Sequence, residues 1–366
     1  MENQFPVSLA GLFPAELEKL LAPLPRFHAV QIYKWIARGV SDFSQMTDIP
    51  NLLRQELSGR FSLYSSAVNN CHQDRDVKKI VLSLKDGLKI EAVLLSDSKN
   101  RLTACLSTQA GCPAGCVFCK TGSLGFSRNL DCAEIVEQFI FLRNAADNAR
   151  TENRGEHIIE NIVVMGMGEP LLNLPQLRKA ISIFTDKAGI NFSRRRITVS
   201  TCGICDSLFD IAKNGPYVRL ALSLTTADEP LRQKLMPIAA ANPLQKIKEA
   251  LVLFQRNGGG RVTLEAVLLG GINTRSGDAL SIAEFARGID TVVNIIPWNP
   301  AEGLEFEGLP LREPGKKETE DFAGMLQSHG LKVTTRLRKG RRVMGACGQL
   351  GCLTNKPTEY RLKQTY

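Results

Sequence analysis

Three cysteines in one short, glycine-containing loop are the residues of this sequence best suited to chemistry. Cys112, Cys116 and Cys119 stand in the stretch Gly-Cys-Pro-Ala-Gly-Cys-Val-Phe-Cys, with a C-x3-C-x2-C spacing. Thiolates hold iron–sulfur clusters, and a cubane bound by only three cysteines leaves one iron open to a non-protein ligand. A structural zinc would need a fourth ligand and closer C-x2-C pairs, and a two-cluster ferredoxin would repeat C-x2-C-x2-C. The loop offers neither arrangement.

The C-x3-C-x2-C spacing is also the hallmark of radical S-adenosylmethionine (SAM) enzymes. It predicts one 4Fe–4S cluster per chain, held by these three thiolates, and SAM as a second cofactor. A zinc site or an electron-transfer cluster remains the alternative for the loop taken alone.

A second motif, Met-Gly-Met-Gly-Glu-Pro, follows the second predicted strand and includes Gly168 and Glu169. A Gly-x-Gly alone is more often a tight turn. Here the glycines would let a ligand approach the backbone, and Glu169 offers a carboxylate to the ammonium of a methionine moiety. Polar side chains also end or follow three further predicted strands, at Ser200, Ser223 and Asn299.

The elements around these residues predict an α/β fold. From about residue 102, short apolar strands alternate with amphipathic helices, which is typical of a parallel sheet or barrel. We predict six strands, at 102–107, 161–165, 196–200, 218–223, 262–268 and 292–297. The first helix after the first strand begins at Asp131, with Glu134 as its capping-box partner. In a parallel barrel the strand ends carry the chemistry, so the cysteine loop, the glycine turn and the polar termini should meet at one rim.

The chain before residue 100 is organised differently. Three helical patterns begin near residues 14, 29 and 52, and Asp86-Gly87 lies between two alternating apolar runs, which is a strong hairpin signal. We therefore predict four parts. They are a helical accessory domain at 1–60, a β-hairpin linker at 61–98, a barrel at 99–330 and a basic C-terminal segment at 331–366.

Charge is concentrated near the C-terminus of this 366-residue chain. Residues 331–366 hold nine lysines and arginines against one glutamate, so they carry +8 of the net +9. Such a surface favours a polyanionic partner, although a solubilising tail is the alternative. No apolar run approaches the roughly 18 residues of a membrane span, and the start lacks a basic signal region. We expect a cytoplasmic monomer without a membrane partner, in which the ten cysteines serve as ligands or catalysts rather than as a disulfide scaffold.

Four motifs together resemble one family. They are the three-cysteine loop, Gly-Glu-Pro after the second strand, Ile-Pro-Trp-Asn-Pro after the sixth, and Ala346-Cys347-Gly348-Gln349-Leu350. This set closely resembles the RlmN/Cfr family of radical SAM RNA adenine methyltransferases, and most closely its RlmN members. The resemblance runs nearly the full length of the chain. It implies a partial (β/α)6 radical SAM barrel behind a small N-terminal helical domain, one three-cysteine 4Fe–4S cluster and two SAM molecules per turnover.

The resemblance also implies a route for the methyl group. Cys347 would receive a methyl from the first SAM, and the radical from the second SAM would remove a hydrogen from that methyl. The methylene radical would add to carbon 2 of an adenine, an electron-poor amidine carbon that resists a methyl cation. After the adduct loses one electron and the ring proton, Cys105 would attack the Cys347 sulfur, release the methylated base and leave a transient disulfide. Glu91 stands where the family carries a proposed proton acceptor, a role that Cys105 itself could fill.

By the same resemblance, SAM contacts fall on Gly168, Glu169, Ser200, Ser223, Thr225 and Asn299. Members of the family usually have Ser-Leu-His where this chain has Ser-Leu-Thr, so Thr225 stands in place of a histidine. The implied partners are 23S rRNA, at an adenosine of the peptidyl-transferase centre, tRNA, at the adenosine next to the anticodon, and a flavodoxin- or ferredoxin-type electron donor. The basic stretch 336–342 would bind phosphates just before Cys347.

Two alternatives compete with this interpretation. One keeps the chemistry but moves the methyl group to carbon 8 of the same rRNA adenosine, as in the antibiotic-resistance branch of the family. The motifs do not separate the two targets, and we favour carbon 2 as the housekeeping activity. The other is a non-catalytic RNA-binding iron–sulfur protein. It predicts the loss of a relay cysteine, whereas Cys105, Cys347 and the three loop cysteines are all present.

Overall fold

A ten-stranded mixed sheet is the frame of the molecule. The computed structural model describes residues 7–147, 159–336, 340 and 342–351. Its strands are β1 Val7–Ser8, β2 Phe61–Ser62, β3 Ala67–Asp74, β4 Val77–Ser83, β5 Lys89–Ser96, β6 Leu102–Cys105, β7 Gln109–Gly111, β8 Phe126–Asn129, β9 Ile159–Val164, β10 Ile197–Thr201, β11 Arg219–Ser223, β12 Val262–Leu268, β13 Thr291–Pro297, β14 Glu305–Phe306, β15 Leu309–Pro310 and β16 Val333–Thr335.

Helices connect the parallel strands of the sheet, and three more lie near the N-terminus. The helices are α1 Pro14–Leu20, α2 Arg26–Arg38, α3 Asn51–Arg60, α4 Lys120–Ser123, α5 Cys132–Asp147, α6 Leu174–Thr185, α7 Cys205–Asn214, α8 Glu229–Leu235, α9 Leu244–Arg256, α10 Ser276–Ala286 and α11 Lys316–Ser328. None of the described helices is long and apolar enough to cross a bilayer.

Six consecutive parallel strands form the barrel. The order β6-β9-β10-β11-β12-β13 follows the chain, and every neighbouring pair is parallel. Each connection contains a helix, as parallel strands require. The six predicted strands are all present, and the α/β fold with a partial (β/α)6 barrel is confirmed.

Helix α5 covers the start of the barrel. It begins one residue after the predicted Asp131, and the predicted capping box is present. The Glu134 backbone N–H donates to the Asp131 carboxylate at 2.8 Å, and the Asp131 N–H donates to the Glu134 carboxylate at 3.0 Å. Further along α5, the buried ring of Phe139 packs 5.5 Å from that of Phe184 and 5.7 Å from that of Phe192.

The predicted hairpin is present, and it belongs to the same sheet. Strands β4 and β5 are antiparallel around Asp86-Gly87, and Gly87 has a φ of +81°, which glycine adopts readily. Strand β5 pairs antiparallel with β6, and β3 adds a further strand. The segment interpreted as a linker therefore also extends the barrel sheet by three strands, while β16 extends it at the other edge.

Phe139 sits where α5 must pack, so its removal tests the α5 interface. Phe139→Ala should lower the free energy of unfolding by about 3–5 kcal/mol, because a ring that is 1% exposed leaves a cavity. Urea denaturation followed by far-UV circular dichroism measures the change. Leu52→Ala is the control, since Leu52 is 81% exposed and should change the value by no more than about 0.5 kcal/mol. Equal effects of the two substitutions would contradict this packing.

Candidate active site

A short antiparallel pair holds the three-cysteine loop. Strands β7 and β8 flank it, and the Cys112 N–H donates to the Gly125 carbonyl at 2.8 Å. Gly111 has a φ of +78°, and a Cβ there would lie 2.0 Å from that carbonyl oxygen. Only glycine fits this position. We call residues 112–119 the cluster loop.

The thiols of the cluster loop match the donor set of an iron–sulfur cluster. Burial raises the pKa of Cys112 to about 12 and that of Cys116 well above its ordinary value, and the neighbouring thiols add to both shifts. The thiols are therefore protonated until a metal replaces their protons. Among the described residues, no three Cys, His, Asp or Glu side chains are placed to hold a single metal ion. Three soft sulfur donors on one loop fit a three-cysteine cluster.

The segment that carries Cys347 docks on the cluster loop and on the short helix after it. We call residues 342–351 the Cys347 loop. The Lys120 N–H donates to the Gly348 carbonyl at 2.8 Å, and the Thr121 hydroxyl donates to the Leu350 carbonyl at 2.9 Å. The Trp298 indole N–H, from the predicted Ile-Pro-Trp-Asn-Pro motif, donates to the Phe118 carbonyl at 2.8 Å. These bonds bring three distant parts of the chain to one rim.

Cys105 and Cys347 line the same cavity beside this rim. Both are free thiols, Cys105 buried at the end of β6 and Cys347 half-buried. Burial raises the pKa of Cys105 to about 12, and the nearby Cys347 adds to the shift. The other residues that line the cavity are Leu95, Met165, Ile296, Pro297, Asn299, Arg336, Gly345, Ala346 and Leu350. The structure thus brings together two cysteines that are far apart in the sequence.

Arg336 is placed differently from the sequence interpretation. That interpretation put it on a phosphate-binding surface, but its side chain lines the cavity, and one terminal nitrogen lies 3.9 Å from the Met165 sulfur. The nearby acidic groups Cys347, Glu265 and Cys105 raise the pKa of Arg336, although burial opposes the rise, so its guanidinium remains charged. Most of the basic segment, including Arg338, Lys339, Arg341 and the cations after residue 351, lies outside the described residues.

A polar cluster occupies the barrel rim at Ser200 and Ser223. Their hydroxyl oxygens are 3.1 Å apart, and the Ser200 hydroxyl donates to the Glu265 carboxylate at 3.2 Å. Burial raises the pKa of Glu265, and Arg336 opposes that shift. Sequence reasoning missed Glu265. The available signal was a single carboxylate within the otherwise uncharged strand Val-Thr-Leu-Glu-Ala-Val-Leu.

Gly168 and Glu169 form the turn after β9. Gly168 has a φ of +103°, and a Cβ there would lie 2.6 Å from the Gln109 side chain. The Glu169 carboxylate accepts from the Leu171 N–H at 2.9 Å and from the Cys202 N–H at 2.8 Å. Burial raises the pKa of Glu169, and these bonds oppose the rise. The carboxylate therefore ties the turn to the neighbouring strand β10.

Two predicted SAM contacts carry polar atoms without a partner. The Thr225 hydroxyl and the Asn299 carbonyl oxygen are buried, and neither has a hydrogen-bond partner in the described part of the chain. Thr225 also has a φ of +62°, which is strained for a β-branched residue, and such strain concentrates at ligand sites. The Asn299 amide donates to the Cys347 carbonyl at 3.2 Å. Buried orphan atoms at these two positions fit a polar ligand such as SAM.

Glu91 lies outside this cavity lining. Its carboxylate accepts from Lys79 Nζ at 3.1 Å and from the Gly351 N–H at 2.8 Å. Lys79 and Glu91 are both fully buried. The proton-acceptor role of Glu91 remains a prediction, and sequence reasoning missed its partner Lys79.

Comparisons with known proteins agree with this geometry. The family model of the Radical SAM superfamily matches residues 106–281, and that of the ribosomal RNA large subunit methyltransferase N-terminal domain matches residues 7–63. A probable dual-specificity RNA methyltransferase RlmN of Treponema denticola is 45% identical over 95% of this chain and 96% of its own. The corresponding protein of Thermus thermophilus is 39% identical over 94% of this chain and 93% of its own.

One solved structure is similar over almost all of the chain. The crystal structure of a radical SAM methyltransferase from Sphaerobacter thermophilus has a TM-score of 0.88 and 35% sequence identity. The match covers 94% of this chain and 99% of that one. The two chains therefore share one architecture over nearly their full lengths.

The raised pKa of Cys105 predicts an unusual pH dependence of its reactivity. A thiol whose pKa is about 12 is mostly protonated throughout the neutral range. Its alkylation by iodoacetamide should therefore rise about tenfold per pH unit between about pH 7 and pH 9, without levelling off. Mass spectrometry of the peptide that contains Cys105 measures the rate. A plateau near the ordinary thiol pKa of about 8.5 would show that burial does not control this thiol.

Proposed function

Because the chain belongs to the RlmN family of radical SAM RNA methyltransferases, we propose that it methylates carbon 2 of an adenosine in 23S rRNA. The proposed target lies in the peptidyl-transferase centre, and the adenosine next to the anticodon of some tRNAs is the proposed second substrate. The name "dual-specificity RNA methyltransferase" of the relatives supports two RNA substrates. The observation that carries the chemistry is that Cys105 and Cys347 line one cavity as free thiols.

The residues divide the work between two neighbouring sites. Cys112, Cys116 and Cys119 would hold the cluster, which supplies the electron for reductive cleavage of SAM when it is bound. The orphan polar atoms of Thr225 and Asn299 would receive the cosubstrate at the rim. Through its bond to the Cys347 carbonyl, Asn299 also connects that rim to the methyl-carrying residue.

Cys347 is suited to carry a methyl group. It is half-buried, so it can receive a methyl from one side and present it to a base on the other. Apolar walls from Leu95, Ile296 and Leu350 surround the cavity, and they keep water away from a reactive carbon. A base in a folded RNA reaches such a cavity only after it leaves its stack.

Cys105 would resolve the covalent intermediate. Its sulfur attacks the Cys347 sulfur, the new S–S bond forms and the S–C bond breaks. The carbon keeps the bonding electron pair and takes a proton to become the methyl group. Cys105 must first lose its own proton, and the Arg336 guanidinium in the same cavity favours the thiolate. The disulfide is then reduced before the next turnover, as a reducing compartment allows.

The basic C-terminal segment supplies the proposed contact with RNA phosphates. Of its cations in the described residues, Lys332 and Arg342 are exposed, and Arg342 lies five residues before Cys347. Phosphate contacts position an RNA without reading its sequence. The target adenosine is therefore proposed to be selected by RNA shape and by the cavity.

The product of the reaction tests the proposal directly. Reconstituted protein, incubated without oxygen with SAM, a reductant and unmodified 23S rRNA, should form 2-methyladenosine. Mass spectrometry of the digested rRNA, run beside 2-methyl and 8-methyl standards, identifies the position. An 8-methyl product would show that the protein has the carbon-8 activity of the antibiotic-resistance branch instead. An intact cluster without any RNA methylation would favour the non-catalytic alternative.

Substitution of the two cavity cysteines should stop the reaction at different steps. Cys347→Ala should keep the cluster but transfer no methyl, because the carrier sulfur is gone. Cys105→Ala should load the methyl and attack the adenine, and then accumulate a covalent protein–RNA adduct. A slow-migrating band, trimmed by RNase to a nucleotide-sized mass on the Cys347 peptide, reveals that adduct. Normal turnover of Cys105→Ala would remove this residue from the mechanism.

A further inference from the structure

A buried ion pair in the extended sheet touches the Cys347 loop. Lys79 on β4 and Glu91 on β5 have side chains that are 0% and 1% exposed, and the Lys79 Nζ lies 3.1 Å from a Glu91 carboxylate oxygen. Two buried charges must be paired and hydrogen-bonded, and an apolar pair in the same place is often as stable. Stability alone therefore does not explain why this position holds an ion pair.

The contacts of the pair reach both sides of Cys347. Lys79 Nζ donates to the Met344 carbonyl at 3.2 Å, three residues before Cys347. The Gly351 N–H donates to the second Glu91 oxygen at 2.8 Å, four residues after Cys347. One ion pair thus holds the two flanks of the loop through backbone atoms, whatever side chains the loop carries.

The loop needs such support because its backbone is strained. Met344 has a φ of +49°, a left-handed conformation that non-glycine residues rarely adopt and that persists only where surrounding contacts hold it. Its carbonyl is the acceptor of the Lys79 bond. The buried lysine therefore donates its hydrogen bond to the strained residue of the loop.

We propose that Lys79 and Glu91 form a latch that positions Cys347 for methyl loading and transfer. The proposal rests on the function proposed above only in taking Cys347 as the methyl carrier. While the loop is docked, both Glu91 oxygens accept bonds, one from Lys79 and one from Gly351. In this state Glu91 acts as a positioning residue, and proton transfer at Glu91 would first require the loop to open.

Two variants separate the latch from simple stability. Lys79→Met removes the cation and its bond to Met344. The double variant Lys79→Met with Glu91→Leu removes both loop contacts but leaves an apolar pair in the core, so it should fold even if the single variant does not. Lys78→Met is the matched control, because Lys78 directly precedes Lys79 on β4 and its Nζ donates instead to the Ala145 carbonyl at 2.7 Å.

Loop release is measured on cluster-loaded protein without SAM or RNA. Each charge-assisted hydrogen bond lost should loosen the loop by about tenfold or more. Alkylation of Cys347 by iodoacetamide, followed on its peptide, and amide hydrogen exchange of the peptide spanning 342–351 should both accelerate to that extent in the latch variants. Exchange of peptides from α1–α3 should not change. Wild-type rates at Cys347 in the double variant would overturn the proposal.

Methyl loading distinguishes the latch from a proton acceptor. Transfer of a methyl from SAM to Cys347 precedes any contact with adenine, so a residue that only accepts the adenine proton would not affect it. The latch predicts slower loading in both variants, read as the mass of the Cys347 peptide after incubation with SAM alone. Unchanged loading would contradict the latch. If wild-type protein failed to methylate RNA, the exchange and alkylation results would still decide the proposal.

Discussion

The docking of the Cys347 loop beside the cluster loop is the contact on which the whole site depends. Backbone and side-chain bonds at Gly348 and Leu350 join a segment late in the chain to the short helix that follows the cluster loop. Without them the two thiols of the cavity would not share one space, because Cys105 belongs to the first barrel strand and Cys347 follows the last strand of the sheet. The barrel supplies the rim, and this docking adds the loop residues that complete the lining of the cavity.

Buried charged side chains are the second feature that shapes the site. Arg336 lines the cavity and interacts electrostatically with Glu265, and Lys79 and Glu91 contact the Cys347 loop from the extended sheet. Each of these groups is expensive to bury unless it is satisfied. Lys79 and Glu91 hold backbone atoms on both sides of Cys347, and Arg336 lines the cavity that contains Cys347 and Cys105. Apolar residues could fill the same volume, but they would make no hydrogen bonds to the loop backbone.

The sequence predicts the frame and the thiols better than it predicts their supports. Alternating apolar runs located all six barrel strands, and Asp86-Gly87 located the hairpin, since these signals are local. Strand β3 was missed because Ala-Val-Asn-Asn-Cys-His-Gln-Asp is polar and mostly exposed, and its pairing with β4 defines it. Lys79, Glu265 and Arg336 were missed or misplaced for another reason. The sequence does not show on which face of an element a charged residue lies. Only the folded structure shows that these three side chains point inward.

The long sequence separations within the site also set an order for folding. The bond between Gly351 and Glu91 joins residues 260 positions apart, and that between Lys79 and Met344 joins residues 265 apart. The barrel can form strand by strand from neighbouring elements, whereas these contacts must close most of the chain into one loop and gain little until the sheet exists. The catalytic centre is therefore completed last. A chain in which only the barrel has formed would already hold Cys112, Cys116 and Cys119 in one loop, but it would lack the cavity that Cys105 and Cys347 share, so the two thiols meet only when the molecule is whole.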